Sequence, residues 1–359
     1  MRKLKILHVT NRFYPCIGGV EQNVLDICLQ LRKRGHTADV LCLNKSPDGK
    51  KLPEKSAYKN ISIFRLPFID LKYYKITKIF LGLLKNYDVV HVHGLGYFSD
   101  LLPLTKWIHK KPLVLSTHGG IFHTGSLGRA KKIYFNKIQK LHLKRFDKIV
   151  AVSKEDEKLF SRIVTKGKLA LISNGIDYEK YSALAKAKKN PNLFVTIGRI
   201  SKNKRLDNLI RAFSYLAKEN RSRKLYIIGE DFDKLVPELK HLVKKLNLGK
   251  NVIFTGKVTE SKKIKYLKSA KYFLSASEYE GFGISVLEAI AAGCMPLLNN
   301  IQPFRSMAGN NLVDYSNPEA AAEKIKLLIK LETNQNTANK YDWKIIALKW
   351  EKLYNSLTN

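Results

Sequence analysis

The residues best suited to chemistry fall in one run, Tyr279-Glu-Gly-Phe-Gly-Ile-Ser-Val-Leu-Glu-Ala289. Glu280 stands on a glycine-rich turn, and Glu288 follows inside the helix that the downstream apolar pattern predicts. Gly281, Phe282, Gly283 and Ile284 carry the chain into that helix, where unpaired backbone N–H groups make a seat for phosphate. A carboxylate on either side of such a seat can hold ligand hydroxyls. A second group follows a predicted strand: Gly198-Arg199, then Lys204 and Arg205. Cations at the mouth of a sheet suit a diphosphate, because Arg grips it bidentately and Lys adds a compact charge. Gly18 and Gly19 lead a loop into a helix and remove Cβ atoms where amides approach a phosphate or sugar. His118, in Ser116-Thr-His-Gly-Gly120, ends a strand and is expected to project into a cleft opposite Glu280.

Other apparent motifs are set aside. Asp231-Phe-Asp233 imitates a metal-binding acid pair but reads as a loop just past Gly229. His91-Val-His93 puts two histidines on one strand face with no Asp, Glu or Cys beside them to complete a metal set, so packing or a cleft wall is expected. Gly94-Leu-Gly96 lacks the third glycine of a dinucleotide site, and no G-x-S-x-G elbow marks a hydrolase. No metal site is expected.

These residues need elements to hold them. Short β-branched runs alternate with amphipathic helices along the whole chain, which predicts α/β architecture with parallel sheets covered on both faces. Strands are expected at 4–9, 38–43, 61–66, 89–92, 113–116, 149–152 and 169–172. A second series is expected at 193–197, 225–228, 252–254, 272–274 and 295–298. A polar, lysine-rich stretch at 178–192 reads as the linker between two doubly wound units, 1–178 and 190–341. The terminal helix, 342–357, carries Trp343, Ile346, Trp350 and Tyr354 and needs a surface to cover, the first domain being the candidate. In open parallel sheets ligands bind outside the carboxyl ends of strands, where all the residues above lie.

Four cysteines at wide spacings argue against a disulfide framework and for a reducing compartment. No apolar run is long enough to span a membrane. The net charge of +35 admits three partners: nucleic acid, an anionic membrane face, or none beyond solvent. Nothing resembles a recognition helix or stacking motif, which leaves nucleic acid disfavoured. Arg129, Lys131, Lys132, Lys137, Lys140, Lys144 and Arg145 crowd one amphipathic stretch, and Lys72, Lys75, Lys78 and Lys85 another. A basic amphipathic helix of this kind suits an anionic lipid surface, so the expected location is cytoplasmic, peripheral on the inner face of the membrane.

Taken in order, Gly18-Gly19-Val20-Glu21, Val152-Ser153, Asn174-Gly175-Ile176-Asp177, Gly198-Arg199 with Lys204, and Glu280 with Glu288 resemble the retaining GT-B glycosyltransferase family. That family includes sucrose synthases and bacterial phosphatidylinositol mannosyltransferases. The likeness implies two Rossmann-like domains facing across a cleft: an acceptor-binding one at 1–178, crossed by helix 342–357, and a nucleotide-sugar-binding one at 190–341. It also implies transfer without a metal or other cofactor. Arg199 and Lys204 would bind the donor diphosphate, Glu280 the transferred sugar and Glu288 the ribose. Amides from Gly281 to Ile284 would meet sugar and phosphate, His118 would face the reacting sugar, and Gly18-Gly19 would line the phosphate and acceptor side. Two departures stand out. Arg205 follows Lys204 where many members have glycine, leaving open which of the two meets phosphate. The Glu-Asp-Phe-Asp loop after Gly229 lacks a second glycine, weakening the base-binding side. Ser116-Thr-His-Gly-Gly-Ile-Phe-His-Thr124 and Asn300-Ile-Gln-Pro-Phe304 are similar to enzymes that use GDP-mannose to build lipopolysaccharide cores or lipid-linked exopolysaccharide units, with UDP-glucose or UDP-GlcNAc as the alternative donors.

Overall fold

A computed structural model describes the chain except residues 1, 17, 72–73, 79, 119–138, 332–336 and 359. It divides into two compact units, Met1–Gly175 with Trp343–Asn359, and Ile176–Asp342. The first holds β1 (Lys5–Val9), β2 (Thr37–Leu43), β3 (Lys55–Tyr58), β4 (Ile61–Leu66), β5 (Phe68–Asp70), β6 (Lys75–Thr77), β7 (Val89–His93), β8 (Leu113–Ser116), β9 (Lys148–Ala151) and β10 (Leu169–Leu171). Eight of them form one sheet in the order β10-β9-β8-β7-β1-β2-β4-β3, parallel except where β3 meets β4, and β5 pairs with β6 in a hairpin. The second unit has β11 (Asn190–Ile197), β12 (Lys224–Ile228), β13 (Val252–Gly256), β14 (Ala270–Ser275), β15 (Met295–Asn299) and β16 (Leu312–Val313) in the parallel order β13-β12-β11-β14-β15-β16.

Both sheets bury both faces, because their strands alternate between two apolar clusters. In β1, Ile6 packs with helix Gly19–Lys33, whereas Leu7 and Val9 pack with Phe98, Leu102 and Phe160 on the other side. In β11, Phe194 packs with helix Leu206–Glu219 and Val195 with helix Ile284–Ala291. The expected doubly wound α/β class holds. The antiparallel β3, the β5–β6 hairpin and the two-residue β16 had no sequence expectation. They are short or lie at a sheet edge, and β3 carries Lys55 and Ser56 in place of an apolar run.

The final helix, Trp343–Asn355, belongs to the first unit. Trp343, Ile346, Trp350, Leu353 and Tyr354 share a core with Val24, Ile27 and Leu31, and Glu351 binds Arg34 at 2.6 Å and His36 at 3.0 Å. Gly175 explains itself here: a Cβ at that position would lie 2.5 Å from the Trp343 indole.

The stretch expected to be a linker is folded. The units divide between Gly175 and Ile176, and 178–192 is part of the second unit. Asp177 caps helix Tyr178–Ser182, Tyr181 is buried in the core, and a 3-10 turn leads directly into β11. Polar composition misled because the helix is held by charge: Lys180 binds Glu260 at 2.7 Å, and Lys263 binds both Glu260 and Glu288 at 2.9 Å. The Tyr181 hydroxyl lies within 2.7 Å of Glu260 and 2.9 Å of Glu288.

Partial burial would raise the Glu260 pKa, yet Lys180, Lys263 and Tyr181 prevail and bring it to about 2 from an ordinary 4.5. A depressed carboxylate contributes stability that is full above its unfolded value and vanishes as pH falls toward the folded one. The second unit should therefore lose stability between about pH 4.5 and 2, and Lys180→Met should shrink that loss in acid-unfolding titrations. Gly175→Ala should destabilise the first unit by about 1–3 kcal/mol through overpacking against Trp343, measured by denaturant unfolding.

Candidate functional site

In the second unit the strand order reverses between β11 and β14, and the loops leaving these two strands form the candidate site. Gly198, Arg199 and Lys204 come from the loop after β11; Ser277, Glu280 and Ser285 come from the segment after β14. All six line one pocket. Gly229, just past the end of β12, abuts the pocket residue Gly198. A Cβ there would sit 1.7 Å from the Gly198 carbonyl oxygen, so only glycine lets the two loops touch.

The charges are arranged as pairs. The Lys204 ammonium is hydrogen-bonded to the Glu280 carboxylate, both side chains being mostly withdrawn from solvent, and Ser277 donates to the same Glu280 oxygen at 3.1 Å. Arg205 is committed elsewhere, to Glu278 and Asp207, and takes a left-handed φ of 45° as it caps helix Leu206–Glu219. Of the two cations, Lys204 is the one that faces the pocket. Arg199 is exposed, and its guanidinium lies 4.6 Å over the Phe232 ring, itself 59% exposed. The atypical Glu230-Asp-Phe-Asp loop thus supplies a platform for this arginine. Asp231 accepts the Leu235 and Val236 amides at 2.8 and 3.1 Å, and Asp233 accepts the Lys202 amide at 2.8 Å, so both carboxylates hold backbone.

The turn after Glu280 runs through Gly281 and Phe282 to Gly283, which caps helix Ile284–Ala291 with a φ of 100°. The first amides of that helix, Ile284 and Ser285, find no acceptor among the described residues. Phe282, read from the sequence as a ligand-contacting position, has its side chain buried edge-on against Tyr341 at 5.5 Å; only its backbone stays near the turn. Glu288 does not line the pocket. Its oxygens meet Lys263, with Tyr181 beside them.

In the first unit the strand order reverses between β1 and β7, and a different cluster gathers there. His8 on β1 stands level with His91 on β7. His93 bridges His8 at 2.9 Å and His118 at 3.0 Å, while His91 bonds the Tyr354 hydroxyl at 2.7 Å and Ser116 at 2.8 Å. Burial drives all four imidazoles toward the neutral form, His8 to about 3 and His118 to about 4. His8 joins His91 and His93 as a set of three nitrogens within 4.8 Å, a partner the sequence did not reveal because it comes from another strand. Both nitrogens of His91 and of His93 are already hydrogen-bonded. His118 adopts a left-handed φ of 48°, an uncommon state for a residue with a Cβ.

Gly18 and Gly19 open helix Gly19–Lys33, and neither has the positive φ of a tight turn. The Gly18 amide donates to the Glu21 carboxylate at 2.9 Å, and a Cβ on Gly19 would meet nothing within 4 Å. This chain's own packing therefore does not require Gly19. Val152-Ser153 and Asn174 have structural duties: Ser153 caps helix Lys154–Phe160, and Asn174 accepts from buried Asn23 at 2.9 Å.

Residues 177–344 match the family of glycosyl transferases group 1, and residues 17–180 match glycosyltransferase family 4. The chain is 30% identical to the GDP-mannose:cellobiosyl-diphosphopolyprenol alpha-mannosyltransferase of Xanthomonas campestris, covering 98% of this chain and 97% of that one. It is 30% identical to the enzyme of the same name from Komagataeibacter xylinus, covering 99% and 93%. Among solved structures, a glycosyltransferase from Rickettsia africae superposes with a TM-score of 0.75 at 20% identity, covering 99% of both chains. Sucrose-phosphate synthase from Thermosynechococcus elongatus gives 0.74 at 18%, covering 98% and 99%. With a full-length relative at this identity, and a strand-order reversal that gathers cations, an acid and free helix amides, the chain belongs to the GT-B glycosyltransferases of group 1 and is a glycosyltransferase.

Proposed function

We propose that this enzyme transfers mannose, with retention, from GDP-mannose to a lipid-linked or lipopolysaccharide-core acceptor. The observation that carries the donor and acceptor class is the full-length likeness to mannosyltransferases whose names specify GDP-mannose and a diphosphopolyprenol-linked sugar. The pocket supports the chemistry. A departing nucleoside diphosphate gathers negative charge, and Arg199, Lys204 and Ser285, whose amide has no acceptor among the described residues, are fixed around one cavity before it arrives. Each such preorganised contact contributes roughly 3 kcal/mol of barrier lowering.

In this reading Glu280 receives hydroxyls of the transferred sugar, and Lys204 passes from Glu280 to the diphosphate. Glu288 holds the ribose, which requires it to share its carboxylate with Lys263. His118 serves the reacting sugar, and the Gly18-Gly19 helix start serves the phosphate and acceptor side. No resident metal is called upon, since Asp231 and Asp233 spend their carboxylates on backbone amides. Retention is assigned to same-face attack, with the departing phosphate taking the acceptor proton.

The same reading places the enzyme on the inner face of a membrane. No described helix is long and apolar enough to cross one. Trp107 is 76% exposed, and Leu104, Ile108 and Leu141 are exposed too; Asp100 ties the helix of Leu104 to that of Leu141, accepting from Gln139 at 2.6 Å and binding His142 at 2.8 Å. Lys110, Lys140, Lys144 and Arg145 are exposed beside these apolar residues in the sequence. Exposed apolar side chains accompanied by cations complement an anionic bilayer, which takes the apolar groups into its interface and pairs with the cations. The basic positions Lys72, Arg129, Lys131, Lys132 and Lys137 lie outside the described residues.

Two measurements test this reading. GDP-mannose should raise the melting temperature, and with a diphosphopolyprenol-linked acceptor it should yield GDP and a mannosylated lipid. Stabilisation by UDP-glucose or UDP-GlcNAc instead would replace the donor. Glu280→Gln and Arg199→Ala should each lower kcat/KM by about 100-fold or more with the fold retained, and full turnover by either would refute the site. On vesicles containing anionic lipid, binding should weaken as salt rises, and Trp107→Ala should release the protein further; no binding at low ionic strength would remove the membrane placement.

A further inference from the structure

The histidines at the β1–β7 reversal form a chain with a dry end. His118 Nε2 faces His93 Nδ1 at 3.0 Å, and His93 Nε2 faces His8 Nδ1 at 2.9 Å. His8 Nε2, fully buried, ends the chain with no hydrogen-bond partner among the described residues. His118 Nδ1 likewise has none there, so it is the one nitrogen at the outer end left for a ligand.

Three neutral imidazoles carry three N–H groups and three lone pairs. Two hydrogen bonds in series need one donor each, so the three rings must point the same way. If the protons run outward, each ring is protonated at Nδ1, His8 leaves a bare lone pair in the core, and His118 presents an N–H. If they run inward, each ring is protonated at Nε2, an N–H is stranded in the core, and His118 presents a lone pair. The dry end decides between them, because a stranded N–H is the rarer defect in a folded interior than an unused acceptor.

We propose that His8 and His93 are positioning residues that hold His118 as a neutral hydrogen-bond donor at Nδ1. Burial supports the premise that all three rings stay uncharged. This inference rests on the reading of the chain as a sugar transferase in which His118 serves the reacting sugar, and it gives that residue a definite task. A ring presenting N–H at its open nitrogen can hold a hydroxyl or phosphate oxygen and cannot accept a proton there. The acceptor oxygen forms its bond to the anomeric carbon, the bond from that carbon to the diphosphate oxygen breaks, and the acceptor proton leaves with the diphosphate. None of it passes through His118.

The test is the ring 15N spectrum of the full chain labelled at histidine, by long-range 1H–15N correlation at neutral pH. The expected result is Nδ1 protonated and Nε2 unprotonated in His8, His93 and His118 alike. A protonated Nε2 in His118, or averaging between the two forms, would overturn the proposal. In His8→Phe the dry end is gone, and His118 should then show both tautomers while the melting profile persists; an unchanged Nδ1–H form in the folded variant would remove His8 from the arrangement. The wild-type spectrum decides the main claim even where the variant does not fold. Full transfer by His118→Ala would cancel the role assigned to His118 and leave the tautomer result standing, so the two readings fail separately.

Discussion

A parallel strand cannot be followed by its neighbour without a crossover, and the crossovers on one side of a sheet's first strand must part from those on the other. Where they part, no connection covers the strand ends, and a crevice is left open. Both units of this protein obey that constraint, β1 beside β7 in one and β11 beside β14 in the other. His8, His91, His93 and His118 gather at the first of these gaps, and Arg199, Lys204 and Glu280 at the second. The first gathers neutral imidazoles, the second fixed charges, so the same topology carries two electrostatic environments.

The charged gap meets the cost of desolvation by pairing. Lys204 rests on Glu280, in a partly buried setting where a lone ammonium or carboxylate would be expensive to keep. In the proposed donor complex a diphosphate would compete with Glu280 for Lys204, and a sugar hydroxyl would compete with Lys204 for Glu280. Binding then exchanges one satisfied arrangement for another without stranding a charge. Arg199 stands apart, resting on the face of Phe232 with no carboxylate partner among the described residues.

The fold was legible in the sequence because parallel strands buried on both faces appear as plain apolar runs, and these runs mark twelve strands at nearly their observed bounds. The short β3, β5, β6 and β16 gave no such run. Lysine content hid the helix Tyr178–Ser182, whose hold is an ion network assembled from positions far apart in the chain. Of the candidate site, Arg199, Lys204 and Glu280 were readable as a group because each follows a strand end. Phe232 beneath Arg199, the contact of Gly229 with Gly198, and the commitment of Arg205 to Glu278 were not, since each depends on which loops the sheet order makes adjacent. His8 was invisible for the same reason: nothing in Leu4–Val9 announces that its histidine will meet two others from a strand some eighty residues away.

The terminal helix has a consequence for how the protein is made. The middle unit is continuous in sequence and can complete its core while the chain is still being synthesised. The first unit cannot: Trp343, Trp350 and Tyr354 emerge only after the whole second unit, and until they arrive helix Gly19–Lys33 has a bare flank and His91 lacks the hydroxyl that binds its Nδ1. Vectorial synthesis usually lets the leading domain fold first. Here the order is inverted, and the nascent amino-terminal half waits, incomplete, for helix Trp343–Asn355 to leave the ribosome.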